Sequence, residues 1–186
     1  MAIDRARVPR GALAGGVAAA AWALQQPLDK RAFRSRYDDV ELLGRMLAPH
    51  AGRRRWYPLG FALHVGNGAA FGAVYAAALA PRLPGSPAVR GAMIALAENF
   101  GLWPLGRVSD RFHPARRSLP RLTRNRRALW QATWRHLLFG VLLGAVEGRL
   151  NAAPEADPAT SATPPLSSNG RGDLTRAAVT LQPNAP

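Results

Sequence analysis

Five polar residues stand inside stretches that are otherwise almost free of polarity: His64, Asn67, Glu98, Asn99 and His136. Three chemistries fit such a set. A carboxylate beside imidazoles can exchange protons near neutral pH, which makes a proton or small-solute pathway one reading. Two histidines at equal depth on parallel helices, with glycines that let a flat macrocycle approach, are the minimal pattern of a b-type haem bundle. The remaining reading needs no ligand at all: the groups hydrogen-bond one another and fix the register of packed helices. That structural or accessory role comes first, the pathway second and haem a distant third, so no cofactor is expected.

Other chemistries are excluded more firmly. The chain has no cysteine, hence no disulfide framework, thiolate nucleophile or thiolate-bound metal. It contains no GxSxG, no HExxH and no phosphate loop ending in Lys-Ser/Thr, so an enzyme is not expected. His50 and His113 sit beside Pro49 and Pro114 and read as surface loop residues. A net charge of +14 suggests phosphate contacts. However, Lys30 is the single lysine among 25 basic residues, and Ala, Gly and Pro are abundant, a bias that a GC-rich genome produces by itself. No nucleic-acid partner is expected.

The polar residues must be positioned by helices. Residues 11–28, 57–80, 88–106 and 129–148 are each apolar enough, and about long enough, to cross a bilayer of roughly 30 Å. Mean hydropathy is only -0.11 because arginine-dense loops dilute these blocks. Arg5, Arg7 and Arg10 ahead of the first block also fit a cleaved secretory signal. Internal repetition favours a retained helix. Arg10-Gly11-Ala12 recurs as Arg90-Gly91-Ala92, and His64-x3-Gly68-x3-Gly72-Ala73-Val74 recurs as His136-x3-Gly140-x3-Gly144-Ala145-Val146. The expected fold is therefore all-α: a four-helix transmembrane bundle over residues 1–150, built from a duplicated helical hairpin.

Small residues line one face of each block: Gly11 and Gly15; Gly60, Gly68 and Gly72; Gly91 with Ala95; Gly140, Gly144 and Gly148. Lipid supplies little hydrophobic drive for helix association, so close backbone packing through such stripes must supply it. Glu98 lies on the Gly91/Ala95 face and should point into protein. A charged carboxylate at mid-bilayer costs about 2.5–3.5 kcal/mol, while each large apolar neighbour returns roughly 0.3–0.6. His64 and His136 each lie about seven residues from the same membrane face, near 10 Å deep at 1.5 Å per residue.

Val40, Leu43 and Leu47 in residues 37–48 have helical spacing and predict a short amphipathic helix at the membrane interface. Residues 107–128 carry eight arginines, with Pro114 and Pro120 to break any long helix. Residues 151–186 are rich in Pro, Ser, Thr and Ala and read as a disordered tail. The Arg171-Gly172-Asp173 tripeptide in it is a chance match. Counting Arg135, seventeen basic residues fall on one side of the four spans and six on the other, which places the basic loops in the cytoplasm of a bacterial inner membrane. The lipid bilayer is the expected partner, with anionic headgroups at those loops.

The His-x3-Gly-x3-Gly helix, its second copy, the Leu83-Pro84-Gly85 connection and the four-block layout resemble the small bacterial inner-membrane proteins of the YagU-like type, over roughly residues 10–150. The resemblance implies a multi-pass membrane protein and carries over no functional residues. The long arginine-rich third loop departs from it.

Overall fold

The computed structural model describes residues 4–152, and every regular element among them is helical. After a 3₁₀ turn at Arg5–Arg7 come α1 (Val8–Ala32), α2 (Asp39–Leu47) and α3 (Arg53–Val74). The α3 axis continues through a π-helical turn at Tyr75–Leu79 and a 3₁₀ turn at Ala80–Arg82. Next come α4 (Pro87–Leu102), a 3₁₀ turn at Trp103–Leu105, α5 (Gly106–Phe112) and α6 (Arg126–Leu150). The expected tail lies outside the described residues, apart from Asn151 and Ala152.

Local chemistry sets these boundaries. The Asp38 side chain accepts from Glu41 N at 2.9 Å to start α2, and Asn125 accepts from Ala128 N at 3.1 Å to start α6. Pro87 stands in the first turn of α4, where its missing N–H costs nothing. The stretch expected to span at 88–106 does not form one continuous α-helix. It breaks at the Trp103–Leu105 turn, where Pro104 cannot donate to the helical ladder.

The long helices pair through their glycines. In the antiparallel α1/α3 pair, a methyl group added at Gly11 would land on the Gly72 carbonyl oxygen, and one at Gly15 on that of Gly68. In the antiparallel α4/α6 pair, Gly91 lies against Gly140 and Gly144, and Gly140 against Ala95. Gly148 meets the Pro87 ring. The two hairpins share one contact pattern, set one helical turn off the Arg-Gly-Ala echo: Gly15 to Gly68 matches Gly91 to Gly140, and Gly11 to Gly72 matches Pro87 to Gly144. Gly60 differs, because it faces the Val40 carbonyl and Gly44 of α2. The short amphipathic helix is consequently seated on α3, with Val40 buried and Leu47 exposed.

The α1 and α6 helices form the central, antiparallel pair, with Trp22 against Phe139. The main core joins Ala14, Ala18, Ala19, Trp22, Tyr75, Ala95, Phe139 and Leu143. Among the described residues, the helix Arg53–Arg82 is the one long and apolar enough to cross a membrane by length and composition. The other long helices fall below that mark because they hold Gln, Asp, Arg and Glu on their inner faces.

Candidate functional site

A cavity of about 250 Å³ opens where α3, α1, α6 and α4 converge, with α2 along one side. Four of the five polar residues singled out from sequence line it: His64, Asn67, Glu98 and His136. Asn99 does not. It is buried between α4 and α6, where its Nδ2 donates to Thr133 Oγ1 at 3.0 Å.

Trp22 organises the cavity. Its indole packs edge-on against both imidazoles, with ring centroids 5.0 Å from His64 and 4.7 Å from His136. Its Nε1 donates to Asp39 Oδ2 at 3.1 Å. With an indole lodged against both rings, the histidines do not flank a flat slot, so they do not fit a haem between them.

The two imidazoles differ chemically. Nδ1 of His136 lies 2.8 Å from the Ala132 carbonyl, which can only accept, so that nitrogen carries the proton. In the neutral ring Nε2 then presents a lone pair, 4.0 Å from Glu98 Oε2. Two acceptors facing each other need a proton, a water or a ligand donor between them. His64 is buried, and its Nε2 has no hydrogen-bond partner among the described residues. The cavity wall holds two carboxylates, Asp39 and Glu98, and neither lysine nor arginine, in a chain of net charge +14. Among the described residues, no group of three or more His, Asp or Glu is arranged to hold a metal ion.

Beside the cavity lies a network that the sequence reading missed. Arg135 is fully buried, although its charge was counted above toward the cytoplasmic excess. Its Nε and Nη2 donate to the two oxygens of Asp29, each at 2.6 Å, and Nη1 donates to Asp39 Oδ2 at 2.6 Å. Gln131 Nε2 adds a 2.6 Å bond to Asp29, and Gln25 Nε2 one of 2.5 Å. The Tyr37 ring stacks on the guanidinium at 5.5 Å, and Lys30 pairs with Asp38. Burial by itself would raise the Asp39 carboxyl, but Arg135, His64 and the Tyr37 hydroxyl outweigh it and hold it below the usual range. The Tyr37 phenol is pushed well above its ordinary value by burial and by the Asp39 charge. A signal was present: Trp22, Gln25, Gln26 and Asp29 repeat at helical spacing, as do Gln131 and Arg135, marking one polar face on each helix.

At the other end of the same helix pair, Arg7 Nη2 meets the buried Glu147 Oε1 at 2.6 Å, and Asn151 Nδ2 donates to that oxygen at 3.1 Å. One ion pair from α1 and one from the 3₁₀ turn ahead of it therefore reach α6, one near each end. His113 corrects another expectation, for it is buried rather than on the surface. Ala115 N donates to its Nδ1 at 3.1 Å, so Nε2 carries the proton and donates to the Leu42 carbonyl at 2.9 Å. This contact pins the arginine-rich segment to α2. His50 is exposed. No family model, curated protein or solved structure matches this chain.

Proposed function

We propose that this chain is a multi-pass inner-membrane protein in which α1, α3, α4 and α6 pack as a lipid-embedded bundle, and that its working part is the polar cavity, a site for a proton or a small solute. One observation carries the proposal: polarity is arranged inside out. Large apolar side chains face outward along each long helix: Leu13, Val17, Leu24 and Leu28 on α1, Val74 at the end of α3, Val89, Met93 and Phe100 on α4, and Trp130, Trp134 and Val141 on α6. The buried set instead includes Gln26, Asp29, His64, Asn99, Gln131, Arg135 and Glu147. Water would penalise such an exterior by roughly 1.5–3 kcal/mol for each large side chain left unburied, whereas hydrocarbon does not. An ionised group in hydrocarbon must in turn face protein and find a partner.

The division of labour inside the bundle favours a cavity role over a purely structural one. Fixing of helix register falls to Arg135 with Asp29 and to Asn99 with Thr133. That leaves His64, Glu98 and His136 around open space rather than hydrogen-bonded to one another.

Membrane placement is tested by alkaline carbonate extraction together with single-cysteine labelling, which is clean because the chain has no cysteine of its own. Cysteines at Ser118 and Gly85 should react from opposite sides of sealed vesicles. Release into the carbonate supernatant would overturn the membrane reading. The cavity role is tested in proteoliposomes by proton uptake after an acid pulse, which Glu98→Gln should abolish. Unchanged uptake with lowered stability would return the cluster to a structural role.

A further inference from the structure

A second concavity, of about 600 Å³, lies on the arginine-rich segment, lined by Arg107, Asp110, Arg111, Arg121, Thr123 and Arg124. It is built rather than incidental. Asp110 on α5 accepts from Leu122 N and Thr123 N, both at 2.8 Å, which folds the following turn back over the helix. Leu122 is buried beneath the turn, and the His113 bond to Leu42 anchors the segment's start. Arg124 sits in the left-handed region at φ 59°, which non-glycine residues seldom adopt. The fold-back brings Arg121 and Arg124 to Arg107 and Arg111, which lie about one helical turn apart on α5. Four arginines thus line one hollow whose sole carboxylate already accepts two backbone bonds, and the Arg111 guanidinium also lies 5.3 Å from the centre of the Phe112 ring. None of the four forms an ion pair among the described residues.

Guanidinium forks match the oxygens of phosphate, each offering paired N–H donors. The surroundings say where that phosphate comes from. Leu105, Val108 and Phe112 are all more than half exposed and, three and four residues apart, form an apolar stripe next to the hollow. Apolar anchors beside clustered arginine are the surface of an element seated at the headgroup boundary. Nucleic acid would match the charge but give that stripe nothing to bury in.

We infer that Arg107, Arg111, Arg121 and Arg124 form a binding site for the phosphate headgroup of an anionic phospholipid, with Leu105, Val108 and Phe112 set into the adjoining acyl region. The inference uses the membrane reading for the depth of α5, but its test is separate. The full chain in dodecyl maltoside is titrated with phosphatidylglycerol and with phosphatidylcholine, and retained lipid is measured by native mass spectrometry. The wild type should bind phosphatidylglycerol about tenfold more tightly, and Arg111→Gln/Arg121→Gln should erase that preference. Arg116→Gln/Arg117→Gln removes the same charge from the same segment outside the hollow and should keep it. Equal loss in both variants would reduce the effect to net charge and overturn the site. Competition by millimolar inorganic phosphate would point to a soluble phosphate instead, and displacement by a short RNA to a nucleic-acid surface; either overturns the lipid assignment. A chain released by carbonate that still shows the variant-sensitive preference would retain this site while losing the bundle proposal.

Discussion

Arg135 grips Asp29 across the α1/α6 interface through two parallel hydrogen bonds, Nε to Oδ2 and Nη2 to Oδ1, and neither side chain reaches the surface. The third arm of the guanidinium, Nη1, reaches Asp39 at the start of α2, so one cation ties three helices together. Burying these charges is costly in itself, and the fork geometry with its extra bonds from Gln131 and Gln25 offsets that cost.

Removing the cation alone should therefore be severe. Arg135→Met leaves two carboxylates buried without their partner, and the expected loss is about 3–5 kcal/mol. Unfolding in detergent measures it, and a double-mutant cycle with Asp29→Asn should return a coupling of at least about 1.5 kcal/mol. A loss below about 1 kcal/mol would place the pair with ordinary surface bridges.

The glycines should divide sharply by position. Gly68→Ala drives a methyl group into Ala19 and the Gly15 carbonyl, at an expected cost of about 1–3 kcal/mol. Gly66→Ala, two residues away, meets nothing within 4 Å and should gain up to about 1 kcal/mol of helix propensity. Parallel thermal melts of the two variants check the contrast.

Asp110 predicts a pH dependence. Burial raises its carboxyl, but the hydrogen bonds from Thr123 and Leu122 outweigh it, so its pKa lies below the ordinary value of 3.8. A depressed carboxyl stabilises the fold above the unfolded value and loses that contribution as pH falls through the folded one. The protection of the Leu122 and Thr123 amides against hydrogen exchange, with the intrinsic rates divided out, should thus stay high at pH 5 and fall as pH drops below the ordinary value of 3.8. Asp110→Asn should lower it at both pH values.

His113→Ala should release the arginine-rich segment from α2. Limited trypsin digestion at the exposed Arg116 and Arg117 is the readout, with cleavage faster than in the wild type. Equal rates would mean that Leu122 and Ala115, both buried, hold the segment without it.

The small-residue stripes were legible in the sequence and mark where backbones touch, but the Arg10-Gly11-Ala12 and Arg90-Gly91-Ala92 echo runs one helical turn off the contact register, in which Gly15 rather than Gly11 corresponds to Gly91. The cavity was legible in part. The two histidines could be placed at equal depth and Glu98 nearer mid-membrane from residue counts, but Asn99, one position along, turns about 100° around the helix and faces Thr133 instead. Asp29 and Arg135 are 106 residues apart, and counting charges by distance from a span says nothing about which of them meet. Trp22 was not singled out within the first block, although its indole N–H had to find an acceptor. Pro104 was the overlooked marker of the break after α4. The proline beside His113 reported local backbone, not tertiary burial.

The matching register of the two hairpins stops at the backbone. His64 and His136 occupy equivalent places, but in the contact register the counterpart of Glu98 in the other hairpin is Trp22, and that of Arg135 is Leu63. The hollow therefore has a carboxylate on one arm and an indole on the other. A scaffold of near-twofold form thus encloses a space whose two sides differ in charge and in shape.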